Sequence, residues 1–355
     1  MNSLERFQAA MRRAPVDRLP WNANMVPELA QKLIQHFDLA DSEALLYNFL
    51  GIDRRRLLPR YTGPEPARYA DGTFDNLFGV RMRNVSYGRG VYQEAVGFPL
   101  ANAQDVAEVE RYAWPNAADY DYAAMPAALS EHPDSPFMVG YLSLGWTAWD
   151  MRGFDQFLSD LLCEPEIAGA IIQHVSDFGY ESFRRQLESC RAYCGKAFSC
   201  IQLADDWATQ EGLLISPSLF RRFFKPHYRR IIDMAHAYGV WVEFHCCGSA
   251  VELIPDIIDM GADILNPIQT SARGMDPALL KREFGRDIAF SGGLDVQTVM
   301  PFGTAEQVKE TVYYLLDTLG AGGGYILEPS HSLQIDTPIE NVMAMKSAYE
   351  QYYGL

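Results

Sequence analysis

Short apolar runs that alternate with helical patterns are the feature of this chain that most constrains its fold. Six such runs follow one another, at residues 137–144, 197–205, 240–246, 262–267, 288–295 and 323–329. The segments between them have the apolar spacing of amphipathic helices. Strand–helix units repeated in this way indicate a parallel sheet, and their number favours a closed barrel over an open sheet. We therefore predict an α/β protein with a (β/α)8 TIM barrel.

The N-terminal part does not share this alternation. Residues 1 to about 75 contain two helical patterns separated by DRLPWNANM (17–25), and they end in the turn-rich stretch 57–73. We interpret residues 1–75 as a helical extension that covers one end of the barrel. Because a barrel with insertions is an ordinary size for one domain, we predict a single domain over residues 1–355.

The charge balance limits the partners that this chain can have. It carries 30 Lys and Arg against 46 Asp and Glu, for a formal net charge of −16. An acidic surface repels nucleic-acid phosphates and anionic lipids, so we expect neither nucleic acid nor membrane as a partner. The N-terminal segment has charges throughout and no continuous apolar stretch. We expect a cytoplasmic protein whose six cysteines are reduced.

Residues able to bind metals, protons or substrate stand where the predicted strands end. In a TIM barrel the carboxyl ends of the strands form the face that carries the active site. The candidates at these ends are Asp205 and Asp206, His245 and Cys247, Asn266 and Gln269, Asp295, and Glu328 and His331. We assign catalytic roles to Asp205, Asp206 and Asp295, and substrate binding to Asn266, Gln269 and Glu328. Capping of a loop or helix is the alternative for the three aspartates.

The pair His245 and Cys247 predicts a metal site. Side chains alternate along a strand, so these two share one face while Cys246 points to the other. An imidazole and a thiolate suit zinc, and His331 at the end of the last strand supplies a third ligand. Three protein ligands with an open position are typical of catalytic zinc. The alternatives are a buried apolar cysteine and histidines that only hydrogen-bond within the protein.

An aromatic-rich stretch lies at residues 141–154. We place Trp146 of this stretch in the wall of an apolar substrate pocket. Packing in the core is the alternative for these rings.

Several segments resemble a known family, the uroporphyrinogen decarboxylase-like superfamily, and most of all its corrinoid-dependent methyltransferase branch. The resemblance is carried by HCCGSAVELIPDIIDMGADILNPIQ, MDPALLKREFG, IAFSGGLDVQ and GGGYILEPSHSLQIDTPIENVMAM, with further matches in DGTFDNLFGV and DDWATQEG. It implies a TIM barrel over nearly the whole chain.

The two branches of this superfamily differ in residues that can be compared here. The decarboxylases have an Arg-Gln-Ala-Gly-Arg segment that binds the tetrapyrrole propionates, whereas this chain has DRLPWNANMVPEL in that region. The zinc methyltransferases use a His-x-Cys pair, which His245 and Cys247 match, and a cysteine in a later Pro-Gly-Cys-Gly segment. His331 stands in place of that cysteine, which puts a coenzyme M-like thiol substrate in doubt.

The resemblance implies a zinc enzyme that works with a corrinoid protein docked at the barrel mouth. Our first hypothesis is a methyltransferase of the O-demethylase type, which passes a methyl group from a small substrate such as a methoxylated aromatic to the cobalt of that partner. Transfer from the corrinoid to a thiol is the alternative direction. A metal-independent decarboxylase and a binding protein without chemistry are the other hypotheses. A homodimer is compatible with the sequence.

Overall fold

The computed structural model describes residues 1–40, 42–86 and 90–355. The strands of this part of the chain are β1 Arg55–Leu57, β2 Arg60–Tyr61, β3 Phe74–Asp75, β4 Arg81–Ser86, β5 Val91–Gly97, β6 Tyr120–Asp121, β7 Phe137–Leu142, β8 Phe198–Ala204, β9 Trp241–His245, β10 Ile264–Ile268, β11 Ala289–Leu294 and β12 Tyr325–Pro329. The helices are α1 Ser3–Met11, α2 Pro27–His36, α3 Glu43–Leu50, α4 Val106–Glu110, α5 Met125–Glu131, α6 Leu144–Arg152, α7 Phe154–Cys163, α8 Pro165–Ser189, α9 Pro217–Phe223, α10 Lys225–Ala237, α11 Ile254–Asp259, α12 Pro277–Phe284, α13 Val299–Phe302, α14 Ala305–Thr318 and α15 Ile339–Tyr353.

A parallel sheet with helices between its strands forms the centre of the fold. Seven strands of the described ranges pair in the order β1-β7-β8-β9-β10-β11-β12. The six apolar runs predicted to be strands are confirmed as β7 to β12, each within a few residues of its expected bounds. The α/β class and the parallel sheet are therefore confirmed, together with helices at the N-terminus.

The structure differs from the expected eight-stranded barrel at the junction between the first and last strands. In place of an eighth paired strand, Trp21 makes a single parallel bridge to Leu327 of β12. The backbone N–H of Asn22 donates to the Leu327 carbonyl at 2.9 Å, and the N–H of Asp53 donates to the Trp21 carbonyl at 3.1 Å. The segment around Trp21 therefore links β12 to the residues just before β1.

This arrangement changes the interpretation of residues 1–75. The stretch expected to cover one end of the barrel also contributes strand β1 to the main sheet, paired with β7. The apolar periodicity could not reveal β1, because the strand consists of Arg55, Arg56 and Leu57. The two helical patterns predicted there correspond to α1 and α2, and α3 is a third helix that was not predicted.

Side chains alternate along β9 between the face of the sheet that packs against the helices and the inner face. Val242 and Phe244 are fully buried, and the Phe244 ring packs edge-on against Tyr228 of α10, with ring centres 5.1 Å apart. Glu243 and His245 lie on the opposite face. The helices therefore cover the apolar face, and the inner face carries the polar groups that build the site.

A small antiparallel sheet of β3, β4 and β5 lies beside the carboxyl ends of the main strands, where Met82 and Tyr92 line a cavity. All six cysteines are free thiols. In the described part of the chain, no helix has the length and apolar content required to span a bilayer.

Candidate metal centre

The two predicted histidines and the predicted cysteine come together at the carboxyl ends of the strands. His245 ends β9, Cys247 follows it, and His331 lies just after β12. One ligand atom from each side chain falls within 4.8 Å of the others. The distance from Cys247 Sγ to His245 Nε2 is 3.3 Å. Two imidazoles and one thiol at this spacing fit a borderline-soft tetrahedral cation such as zinc, with one position left for another ligand.

Asn266 fixes the orientation and tautomer of His245. β9 and β10 pair in register, which sets Asn266 opposite His245. The Asn266 amide nitrogen donates to Glu328, so its Oδ1 faces His245 Nδ1 at 2.7 Å and accepts a hydrogen bond from the Nδ1–H group. The proton of the neutral imidazole is then on Nδ1, and Nε2 has a free lone pair directed toward the cluster.

The loop that carries Cys247 is held by two hydrogen bonds from its backbone. The N–H of Cys247 donates to Asp206 Oδ1 at 2.9 Å, and the N–H of Gly248 donates to Gln269 Oε1 at 2.7 Å. Gly248 has φ +83°, and a side chain there would lie 2.5 Å from the Thr209 carbonyl oxygen. The turn therefore requires glycine.

The protein environment favours the neutral forms of Cys247 and His331. Burial raises the pKa of the Cys247 thiol far above its usual range, and Asp206 acts in the same direction. Burial within the mouth lowers the pKa of His331, and the neighbouring His245 lowers it further. A neutral His331 is ready to bind a metal, whereas Cys247 needs a bound cation to become a thiolate.

The two aspartates after β8 occupy different positions. Asp205 is buried and accepts hydrogen bonds from the Ser143 hydroxyl, the Tyr228 hydroxyl and the first backbone N–H groups of α6, among them Trp146 at 2.7 Å. Burial raises the pKa of Asp205 to about 6 against these bonds. This is the capping geometry that was the alternative for this residue. Asp206 instead lies beside the cluster, with Oδ1 3.7 Å from His245 Nε2.

Glu328 lies in a buried polar network next to the group formed by His245, Cys247 and His331. Its carboxylate accepts hydrogen bonds from Ser291 at 2.6 Å, from Asn22 at 2.7 Å, from Arg54 at 3.2 Å and from Asn266. Burial raises the pKa of Glu328 against the lowering effect of Arg54. Glu328 is therefore linked to His245 at the mouth through Asn266.

The remaining candidates divide between the mouth and the loops. Trp146 lines a cavity beside the cluster, and its indole N–H donates to Asp150 at 3.0 Å. Asp295 is buried and accepts hydrogen bonds from the Gln297 N–H at 2.8 Å and from the Thr298 hydroxyl, within its own loop. Its side chain therefore stabilises the loop that precedes α13.

Two cavities meet at His245 and His331. One has a volume of about 440 Å3 and the other of about 300 Å3. The larger cavity is lined by Asn76, Met82, Tyr92, Tyr141, Ser143, Trp146, Thr147, Asp150, Ala204, Asp205, Asp206, His245 and His331. The smaller is lined by Asn24, Met25, Tyr47, Arg56, Tyr141, Gln202, Ala204, His245, Asn266, Pro267, Pro329, His331 and Ser332. The cluster is therefore accessible from two sides.

Two residues of the mouth were missed from the sequence. Arg56 lies in a charged run with no strand pattern, and Asp150 lies within a stretch that was considered only for its aromatic rings, one of which, Tyr141, also lines the mouth. Burial raises the pKa of Asp150 to about 6. The only usable signal was positional, because Asp150 follows Trp146 by one helical turn.

Comparison with known proteins agrees with this architecture. A family model described as uroporphyrinogen decarboxylase (URO-D) matches residues 84–352. The methylcobamide:CoM methyltransferase MtaA of Methanosarcina barkeri is 23% identical over 317 residues, which cover 83% of this chain and 86% of that protein. The uroporphyrinogen decarboxylase of Coxiella burnetii is 20% identical over 265 residues, covering 72% and 68% of the two chains.

Two further relatives come from Methanosarcina mazei. Its methylated-thiol–coenzyme M methyltransferase is 28% identical over 192 residues, 53% of this chain and 46% of that protein. A solved methyltransferase structure from the same organism superposes with a TM-score of 0.68 at 17% identity and covers 99% of both chains, which shows a common fold. Since the family model spans about three quarters of the sequence, the chain belongs to the uroporphyrinogen decarboxylase (URO-D) family.

Proposed function

We propose that this chain is a corrinoid-dependent methyltransferase that moves a methyl group from the cobalt of a partner corrinoid protein to the sulfur of a small thiol. The observation that carries the proposal is the convergence of His245, Cys247 and His331 at the mouth of the sheet. Two of the related methyltransferases have coenzyme M, a thiol, in their names, which supports this direction over O-demethylation. We also propose that the sheet closes into the expected (β/α)8 barrel, in which the short segment around Trp21 takes the place of the eighth strand.

His245 Nε2, Cys247 Sγ and His331 would hold zinc, with the remaining position open to the thiol substrate. When bound there, zinc supplies Lewis acidity that keeps a sulfur nucleophilic at neutral pH. Asp206 is placed to take the proton that the thiol gives up, because its carboxylate lies beside the cluster and is partly exposed. Asp205 orients the start of α6 and hence Trp146. As the S–C bond forms, the Co–C bond breaks and its electron pair stays on cobalt.

The decarboxylase hypothesis retains one observation in its favour. Arg56 places a cation in the mouth, as a carboxylate substrate would require. Decarboxylation without a metal would, however, give the His245–Cys247–His331 cluster no role. Metal analysis of the purified protein separates the two hypotheses, because a decarboxylase that acts on another carboxylated compound would need no metal.

The test of the proposal is a methyl-transfer assay with methylcobalamin in place of the corrinoid partner. We expect zinc-loaded protein to convert methylcobalamin and a small thiol to cob(I)alamin and the S-methyl thioether, and metal-depleted protein to lose this activity. Cobalt oxidation state is followed by absorbance under anaerobic conditions and the thioether by mass spectrometry. Methylation of cob(I)alamin by a methoxylated aromatic, with no reaction toward thiols, would instead support O-demethylation.

Replacing Asn266 by alanine is expected to weaken zinc binding by about 10- to 100-fold, the usual cost of removing a partner that orients a ligating histidine. The variant loses the acceptor for His245 Nδ1–H, so the ring is free to rotate and to change tautomer. Competition with a chromophoric chelator measures the affinity. Thr270→Ala is the control, because the Thr270 hydroxyl donates to Gly293 away from the cluster. Equal zinc affinity in both variants would contradict the assigned role of Asn266.

A further inference from the structure

The two cavities that meet at the metal cluster carry opposite charge. Among the described residues, the acidic side chains of the larger cavity are Asp150, Asp205 and Asp206, and no lysine or arginine lines it. The described lining of the smaller cavity contains Arg56 and no aspartate or glutamate. An anionic molecule that approaches His245 and His331 is therefore favoured on the Arg56 side and disfavoured on the other.

The fold directs Arg56 toward this smaller cavity. Arg54 and Arg56 are two residues apart and share the inner face of the sheet, whereas Arg55 lies on the other face. Arg54 forms salt bridges with the buried carboxylates of Glu243 and Glu328. Arg56 lies one step nearer to the mouth, where its side chain remains exposed to the cavity.

The guanidinium of Arg56 has polar and aromatic neighbours without an ion pair. It donates to Gln202 Oε1, and its central carbon lies 5.9 Å from the centre of the Tyr141 ring. Gln202 in turn donates from Nε2 to Glu243 at 2.8 Å, so the amide stands between the cation and that carboxylate. No salt bridge joins Arg56 to a carboxylate of the described chain. Most of its five N–H donors are thus left for a ligand.

We infer that Arg56 binds the carboxylate tail of a small thiol whose sulfur reaches the His245–Cys247–His331 cluster. This inference rests on the proposed function and names its substrate class. A guanidinium presents two parallel N–H groups that match the two oxygens of a carboxylate. A cavity of about 300 Å3 is at the lower end of ligand sites, which limits the occupant to a short molecule.

The test compares thiols of similar size and different charge by isothermal titration calorimetry on the zinc-loaded protein. We expect 3-mercaptopropionate to bind more tightly than uncharged 2-mercaptoethanol. Arg56→Gln should weaken binding of the carboxylate by about 10- to 100-fold, since hydrogen bonds to charged groups have that value, and leave the neutral thiol unchanged. Arg56→Lys should give an intermediate dissociation constant. Arg55→Gln is the matched control and should bind both thiols as wild type does.

Two results would overturn the inference. One is an equal loss of charged and neutral thiol binding in Arg56→Gln, which would mean a structural role. The other is a sulfonate probe, 2-mercaptoethanesulfonate, that binds more than tenfold more tightly than 3-mercaptopropionate, which would reject the carboxylate. Titration with 3-(methylthio)propionate separates this inference from the proposed function, because a thioether has no acidic proton. If Arg56→Gln weakens its binding while no variant transfers a methyl group, the anion site stands and the proposed reaction fails.

Discussion

Replacing Cys247 by serine is expected to remove zinc from the protein and to lower the rate of methyl transfer by more than about 100-fold. Loss of a residue that only hydrogen-bonds to a metal ligand costs up to about 100-fold, and loss of a ligand itself should cost more. Cys247 is the only sulfur in a cluster whose other members are imidazoles. A serine hydroxyl is a poor zinc ligand at neutral pH, so two histidines would remain to hold the ion. Metal content by plasma mass spectrometry after gel filtration, together with the methylcobalamin assay, measures the result.

The neighbouring cysteine provides the matched control. Cys246 is fully buried and points to the opposite face of the strand end, where burial holds the pKa of its thiol above the usual range. Cys246→Ala should therefore retain stoichiometric zinc and near-normal activity. Stoichiometric zinc in Cys247→Ser would reject the ligand set. If the Cys247→Ser variant kept zinc but lost activity, the metal would be bound by other residues and Cys247 would take part in the reaction without being a ligand.

The sequence predicted the strands and the position of the candidate site correctly where the strands are apolar and reactive side chains follow directly after them. The strand through Trp241–His245 alternates buried apolar residues with Glu243 and His245, and this alternation alone assigned the two faces of the strand. Because parallel strands end on one side of a sheet, the positions of His245 and His331 also predicted that they would lie close together. These predictions use local periodicity and a general property of parallel sheets.

The sequence failed where the inner face of the sheet is charged. The strand Arg55–Leu57 has no apolar pattern, because its inward residue Arg56 and the preceding Arg54 pair with groups on distant strands. The hydrogen bond between Asn266 and Glu328 likewise joins residues that are 62 positions apart in the sequence. Such contacts have no signature at fixed spacing, so only the three-dimensional structure could identify them.

The buried charges around Arg54 lead to the largest expected effect on stability. Arg54 is 3% exposed and lies between Glu243 and Glu328, whose side chains are 0% exposed. Removing one partner of a buried ionic group leaves uncompensated charge and costs about 3–5 kcal/mol. Arg54→Gln should therefore lower the free energy of unfolding by about this amount at neutral pH, measured by urea denaturation. Arg55→Gln on the outer face should stay within about 0.5 kcal/mol of wild type.

The pH dependence distinguishes lost charge compensation from lost packing. Burial raises the pKa of Glu328, and without Arg54, which lowers it, this carboxyl group should take up a proton still more readily in the folded state. The native state then binds more protons than the unfolded chain, whose glutamates have a pKa of about 4.3, so stability decreases as pH rises above that value. Arg54→Gln should accordingly be closer to wild type at pH 5 than at pH 8. Adding Glu328→Gln should recover part of the loss at pH 8, because one of the two unpaired charges is gone. An equal loss of unfolding free energy at both pH values, with no recovery in the double variant, would mean that Arg54 stabilises the sheet by packing. The buried carboxylates would then be compensated by other groups.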